Sequence, residues 1–309
     1  MFKRYFCVMT KSKAWIQAVR LRTLPLSLSG IILGSFIAKY NGYWDDLLFV
    51  LSLLTTVLFQ ILSNLANDLG DSLKGSDNAQ RIGPIRSVQS GLISFKEMKI
   101  AIISCAVLSL FSAAFLIYFG SKNLPIELIY VYSALAIACI TAAISYTIGK
   151  RAYGYSGLGD IMVFIFFGIV SVMGVYPLYT KTIDWMLILP ASSIGLLSSA
   201  VLNLNNMRDV KNDANSGKRT LVVLMGSNLA KLYHSLLIIG ALVCQMIYIS
   251  STGHVGAWIG ILPGIILLFH VRKVMATRDP KEYDPELKKV ALSTFGISVL
   301  TSIGLIFIK

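Results

Sequence analysis

The chain has 309 residues, 55% of them apolar and only 14% charged, and its mean hydropathy is +0.71. A soluble domain carries about 25% charged residues, so this composition cannot supply a water-facing skin, and 15 Phe and 14 Tyr set in long apolar runs exclude a disordered chain. What remains is an all-α polytopic membrane protein. The net charge of +13 raises the question of nucleic acid. The basic residues lie in gaps between apolar runs and form no basic stripe with interleaved aromatics, so no nucleic-acid partner is expected.

The opening segment 1–22 is basic. Ala14, Trp15, Ala18 and Val19, set among Lys11, Lys13, Arg20 and Arg22, read as a short amphipathic stretch lying at the membrane interface. No long apolar run precedes a small-residue cleavage site, so a cleaved leader is not expected. One transmembrane domain then covers 23–309, with nine apolar runs at 23–39, 47–66, 100–119, 127–148, 158–178, 185–204, 232–250, 255–271 and 290–308. These predict a nine-helix bundle around a central cavity. With the N-terminus on the cytoplasmic side, every Lys and Arg except Lys39, Lys122, Lys181 and Lys309 falls in a cytoplasmic segment. Trp44, Trp185 and Trp258 fall near the outer ends, where an aromatic belt places them. Cys7, Cys105, Cys139 and Cys244 form no CxxC and read as small hydrophobes.

Two acidic stretches stand out among only 15 Asp and Glu. In the first, Asn64, Asn67, Asp68 and Asp71 recur at i, i+3, i+4 and i+7, one face of a helix, which Gly75 is expected to end so that Asp77 turns back toward it. In the second, Asn205, Asp209 and Asp213 share a face at i, i+4 and i+8. Asn67–Asp71 and Asn205–Asp209 have the same spacing, and each follows an even-numbered span. This points to a repeat of helices 1–4 in helices 5–8, with the ninth extra. Carboxylates stacked one turn apart repel, and a cation must hold them together. Carboxylate and amide oxygens without histidine suit Mg²⁺ or Mn²⁺ rather than zinc. Two facing patches of this kind would clamp a diphosphate. The cations that follow them, Arg81 and Arg86, Arg208, Lys218 and Arg219, and Lys150 and Arg151 after the fourth span, suit phosphate binding. An apolar bundle interior suits a long lipid tail. A lipid diphosphate held there could exchange water or phosphate at phosphorus, or the whole diphosphate could leave from carbon. If the lipid is allylic, the second route gives a carbocation that would alkylate an aromatic acceptor. No strong nucleophilic side chain is then required, which favours prenyl transfer.

The stretches 20–34, 61–91, 146–160 and 202–226, in this order, resemble the intramembrane aromatic prenyltransferase superfamily, and within it the 1,4-dihydroxy-2-naphthoate branch. The similarity runs from about residue 15 to the end. It implies Mg²⁺, two ions, held by Asp68, Asp71, Asp77, Asp209 and Asp213 with Asn67 and Asn205. Asp77 stands six residues after Asp71, where the general pattern has four. The resemblance further implies diphosphate contacts from Arg81, Arg86, Lys150, Arg151, Arg208 and Lys218. Tyr146 and Lys150 match a tyrosine-then-basic signature near the substrates. Asp160 is a candidate to orient the acceptor, and Arg20, Arg22 and Asn64 are supporting residues. The implied partners are a polyprenyl diphosphate, 1,4-dihydroxy-2-naphthoate and membrane lipid; the implied product is demethylmenaquinone, formed with loss of CO₂ and diphosphate; the implied location is the bacterial cytoplasmic membrane.

Rival readings are weaker. Other acceptors, such as 4-hydroxybenzoate or homogentisate, belong to the same superfamily. A transporter would keep its charges near the midplane rather than at helix ends. An intramembrane aspartyl protease would pair the GxGD at 157–160 with a second membrane aspartate, but the sole YD is Tyr283–Asp284, in a segment (278–286) that reads as a solvated loop. His234 and His270 read as ordinary histidines near helix ends.

Overall fold

The structure, a computed structural model, describes residues 10–78, 81–122 and 124–308. Lys3, Arg4, Cys7 and Lys309, used in the topology and cysteine readings, lie outside the described residues.

Among the described residues there are only helices, and nine are long and apolar enough to cross a membrane. A short helix, α1 (Lys11–Val19), is capped by the Thr10 side chain. It buries Ala14 and Ala18 against α3 (Asp46–Leu73) and leads through a left-handed Arg20 into α2 (Leu24–Tyr40). Residues 11–19 are thus packed onto the bundle through one face of α1. After α3 come α4 (Phe95–Gly120), started by a Ser94–Glu97 capping box, and α5 (Ile126–Ser145). The fifth span begins as α6 (Gly159–Val163), widens into a π-helix over Phe164–Val170 and ends as α7 (Ser171–Thr180). α8 (Ile188–Asn215) is followed by the short α9 (Leu221–Met225), then α10 (Ser227–Thr252), α11 (Leu262–Ala276) and α12 (Tyr283–Phe307).

The second and sixth spans, α3 and α8, are both unbroken helices of 28 residues. Each runs past its apolar stretch and carries an acidic motif on its final turns. The motif ends lie together at one end of the bundle, with the Lys- and Arg-rich connections. Trp44 and Trp185 precede these helices and Trp258 precedes α11, so all three mark the opposite end. The most buried helices are α2, α8 and α12, whereas α4 and α5 turn many large apolar side chains outward, as lipid contact allows. Close approach between spans rests on small residues. A Cβ on Gly168 would lie 2.4 Å from the Ala191 carbonyl oxygen, so only glycine lets the π-helix seat against α8.

The bundle encloses a cavity of about 640 Å³ that reaches from the motif end toward the Trp end. Its polar wall includes Arg20, Asn67, Asp71 and Lys218, and its deeper wall is apolar, with Phe59, Leu116, Phe166, Phe167 and Leu178. The π-helix widens the turn at which Phe166 and Phe167 enter this wall, a common place for such a bulge.

Candidate active site

Helix geometry places the second motif directly. Asp209 and Asp213 are one turn apart on α8, and both are buried. Arg208, only 1% exposed, folds back to donate to Asp209 Oδ2 at 2.7 Å and to Asn205 Oδ1 at 2.8 Å. Its other arm reaches Asp284 Oδ1 at 2.6 Å. Asp284 belongs to the first turn of α12 and lines the cavity, so the 278–286 segment is in part a helical wall of the site and not simply a solvated loop.

The first motif is built differently. Asp68 accepts from the Ser87 backbone N–H at 3.2 Å, and Asp71 accepts from the Tyr155 hydroxyl at 2.8 Å. After Leu73 the helix stops, and Gly75 takes φ +72, which lets the chain reverse. The backbone N–H groups of Ser76 and Asp77 then both donate to the Asp71 carbonyl, at 3.0 and 3.4 Å. Asp77 is thereby returned to the cluster. Burial, and the charge of Asp71, push its carboxyl up to about 6. Gly70 lies against the loop after α5, where a Cβ would meet Thr147 Oγ1 at 2.4 Å; Thr147 in turn donates to Asn67 Oδ1 at 3.3 Å.

Two cations join the motifs. Lys218 Nζ is 4.0 Å from both Asp71 Oδ1 and Asp213 Oδ1, and Arg81 Nε is 3.4 Å from Asp77 and 3.8 Å from Asp209. Each thus ties an acid of the α3 motif to an acid of the α8 motif. Burial acts to lower the Lys218 ammonium, but Asp71 and Asp213 outweigh it and hold its pKa above the usual lysine value. Arg86 is 3.7 Å from Asp77 and lines the cavity. Its guanidinium is pulled well below the usual arginine value by burial and by Arg20 and Arg81. Arg20 also lines the cavity; it holds a left-handed φ of 53, uncommon for a non-glycine residue, and its buried Nε and Nη2 have no hydrogen-bond partner.

The remaining sequence candidates separate into two groups. Tyr146, Arg22, Asn64 and Asn205 line the cavity. The Tyr146 ring packs edge-on against Tyr153 at 5.2 Å. Asn64 is committed to structure, donating to the Val19 carbonyl at 2.9 Å and to Thr23 at 3.1 Å. Lys150 and Arg151 are exposed and lie outside the cavity lining. The turn at Gly149 carries them away from the acids, and the structure does not bring them to the cluster. Asp160 is buried but also outside the lining; it meets the Tyr233 hydroxyl at 3.4 Å in the first turn of α6. Tyr155 and Ser76 were missed. Tyr155 bonds Asp71 and Ser76 (2.6 Å), and Lys74 and Lys218 sit over its ring. The one available signal was an aromatic between glycines in YGYSG. His234 and His270 are buried and share a hydrogen bond of 2.8 Å, and His270 continues to Glu286 at 2.5 Å, a tie between α10, α11 and α12 that local sequence did not reveal.

Among the described residues no three Asp, Glu, His or Cys already close on one point as a formed metal centre. The donor set nevertheless fits a hard cation. Asp68 Oδ1, both Asp77 oxygens and Asp213 Oδ2 are buried without a hydrogen-bond partner, and carboxylate oxygen is the donor type that Mg²⁺ takes.

An all-helical bundle with two acidic helix ends at the mouth of an apolar cavity is the architecture of an intramembrane prenyltransferase. The chain belongs to the UbiA prenyltransferase family, which matches it over residues 27–292. It is 42% identical to the 1,4-dihydroxy-2-naphthoate octaprenyltransferase of Haemophilus influenzae and 41% identical to that of Escherichia coli, each alignment covering 96% of both chains. The Mycobacterium tuberculosis protein of the same name is 30% identical over 90% of this chain and 92% of its own. Among solved structures, a UbiA homologue from Aeropyrum pernix K1 superimposes with a TM-score of 0.65 at 13% identity, covering 94% of this chain and 97% of its own. A digeranylgeranylglyceryl phosphate synthase superimposes with a TM-score of 0.61 at 17% identity, covering 96% and 99%. These structures share the fold.

Proposed function

We propose that this protein transfers a polyprenyl group from a polyprenyl diphosphate to 1,4-dihydroxy-2-naphthoate, with loss of CO₂ and diphosphate, building the demethylmenaquinone skeleton in menaquinone synthesis. The observation that carries this reading is the bridging of the two acidic motifs by Lys218 and Arg81 at the mouth of an apolar cavity. The names of relatives sharing two fifths of the sequence support the acceptor.

The cavity orders the substrate by polarity. The diphosphate belongs at the motif end, where Arg20, Arg86 and Lys218 face it, and the prenyl chain belongs between the apolar walls. Asp68, Asp71, Asp77, Asp209 and Asp213, with Asn67 and Asn205 beside them, would hold Mg²⁺, two ions. Held by these residues, Mg²⁺ would supply charge neutralisation for the leaving diphosphate. Lys218 and the two arginines add fixed positive charge at the same place, which favours breaking the allylic C–O bond. The allylic cation then lies in a cavity lined near its mouth by Tyr146 and deeper by Phe166 and Phe167, aromatic side chains that suit a cation and whose bulk keeps out the water that would quench it. The positive-inside pattern supports a cytoplasmic motif end in a bacterial inner membrane.

The test uses the full chain in detergent or nanodiscs with farnesyl diphosphate, Mg²⁺ and a panel of acceptors. The expected result is transfer to 1,4-dihydroxy-2-naphthoate in preference to 4-hydroxybenzoate or homogentisate, lost on chelation. Asp71→Asn and Asp209→Asn are each expected to lower kcat by about 100-fold or more. Full-rate transfer by both variants with metal chelated would overturn the reading.

A further inference from the structure

Tyr155 joins the connections that follow both acidic motifs while lying outside the cavity lining. It ends a short turn, Tyr153–Tyr155, in the connection after α5. Glycine seats that turn. The Gly154 N–H donates to the Tyr146 carbonyl at 3.0 Å, and a Cβ on Gly154 would lie 2.7 Å from the same oxygen. Tyr155 is thereby carried to the point where the connections after α3, α5 and α8 meet. Its carbonyl accepts from the Arg219 N–H at 3.2 Å, next to Lys218. Ser76 Oγ is 2.6 Å from its hydroxyl and 3.3 Å from Ser216 Oγ, and the Ser76 carbonyl accepts from Asn212 Nδ2 at 2.7 Å.

The protons of this network can be assigned. A carboxylate only accepts, so the single Tyr155 hydroxyl proton goes to Asp71 Oδ1, 2.8 Å away. Ser76 then donates to the Tyr155 oxygen. The result is a donor chain, Ser76 to Tyr155 to Asp71, in which each bond polarises the next. The same Asp71 Oδ1 faces Lys218 Nζ at 4.0 Å, well beyond the about 2.8 Å of a closed ammonium–carboxylate bond. The Tyr155 ring faces the ammonium, with Nζ 5.2 Å from its centroid, and takes Lys74 Nζ at 4.0 Å. Lys218 is thus shared among a ring and two acids and closes on none of them.

We infer that Tyr155 is a positioning residue for the charged end of the site: its hydroxyl orients Asp71 as a metal ligand, and its ring holds Lys218 short of closing on that carboxylate. Asp71 then keeps its charge for Mg²⁺, and Lys218 keeps its charge for the diphosphate. The inference rests on the proposed function, since it takes Asp71 to hold Mg²⁺ and Lys218 to face a diphosphate. Removing the hydrogen-bond partner of a ligating carboxylate costs about 10- to 100-fold in metal affinity or activity.

The test uses the full chain in nanodiscs and measures binding of farnesyl thiodiphosphate, whose C–S bond resists ionisation, as Mg²⁺ is varied. Tyr155→Phe keeps the ring and loses the hydroxyl. It is expected to raise the Mg²⁺ concentration for half-maximal binding about tenfold or more, while kcat for farnesyl transfer at saturating Mg²⁺ stays within about threefold of wild type. Tyr155→Leu loses the ring as well and is expected to weaken binding further, even at saturating Mg²⁺. Tyr176→Phe removes a comparable bond, from Asn41 Nδ2 at 2.8 Å near the Trp end, and is expected to change the Mg²⁺ requirement less than about twofold. An unchanged Mg²⁺ requirement in Tyr155→Phe, or a loss of kcat that saturating Mg²⁺ does not restore, overturns the assignment. Should Tyr155→Phe fail to fold, Ser76→Ala leaves Tyr155 and Asp71 in place; a rise of about two- to fivefold in the same titration is expected, and no rise overturns the assignment. Amide hydrogen exchange reads the network without metal or substrate. Faster exchange at 72–78 and 216–220 in Tyr155→Phe is expected, and unchanged exchange there overturns the proposal. Failure of the wild-type protein to bind farnesyl thiodiphosphate or to transfer a farnesyl group counts against the functional reading alone, while amide exchange still shows whether Tyr155 holds the motif ends together.

Discussion

The two acidic motifs reach the same place by different routes. On α8 the helix continues to Asn215, so Asp209 and Asp213 are fixed one turn apart by backbone hydrogen bonds alone, and their arginine, Arg208, stands on the same helix. On α3 the helix ends at Leu73, between Asp71 and Asp77. A glycine turn and two bonds to the Asp71 carbonyl bring Asp77 back, and the motif's arginines, Arg81 and Arg86, come from the loop beyond. Six residues across a helix end thus do what four do within a helix. The rigid half presets its spacing, whereas the looped half depends on the contacts that fold it over.

The sharpest way to break this comparison is to remove the cation that both halves share. Lys218→Met leaves Asp71 and Asp213 facing without their bridge and takes a positive charge from the diphosphate end. Transfer is expected to fall by about 100-fold or more, with a raised KM for the prenyl diphosphate. A variant with unaltered kinetics would show that the halves are held together by other means.

Asp77→Asn sharpens the comparison, since it strikes the looped half alone. A loss of about tenfold in kcat is expected, smaller than for Asp71 or Asp209. Its protonation gives a second readout. Burial and the charge of Asp71 push the folded carboxyl up to about 6, against about 3.9 for a free aspartate, so between these values the folded state keeps a proton that the unfolded chain has released. In the metal-free protein this group therefore adds stability as pH falls from above 6 toward 4. The difference in melting temperature between wild type and Asp77→Asn, measured without divalent ions at pH 7 and pH 4.5, is expected to shift in favour of wild type at the lower pH. A difference independent of pH would show that Asp77 is not buried beside Asp71.

The smallest effect is expected at Lys150. It lies on neither motif and outside the cavity, so Lys150→Met should change kcat by less than about twofold, as for a solvated surface charge. A large loss would mean that the loop after α5 closes over the substrate.

The sequence by itself determined the membrane class, the nine spans and the two acidic faces, because hydrophobic length and the helical period are local properties written residue by residue. It also contained Asp77, though the fold-back that makes Asp77 useful depends on where α3 stops. Only the tertiary structure decided which cation meets which acid. Lys218 and Arg81 bridge the motifs, Tyr155 holds Asp71, and Asp284 takes the far arm of Arg208. Lys150, Arg151 and Asp160, plausible by position in the chain, are turned elsewhere. These pairings join residues far apart in sequence through the packing of separate helices, and charge partners in a buried site are set by that packing and by the cost of leaving a charge unpaired, neither of which has a period to read.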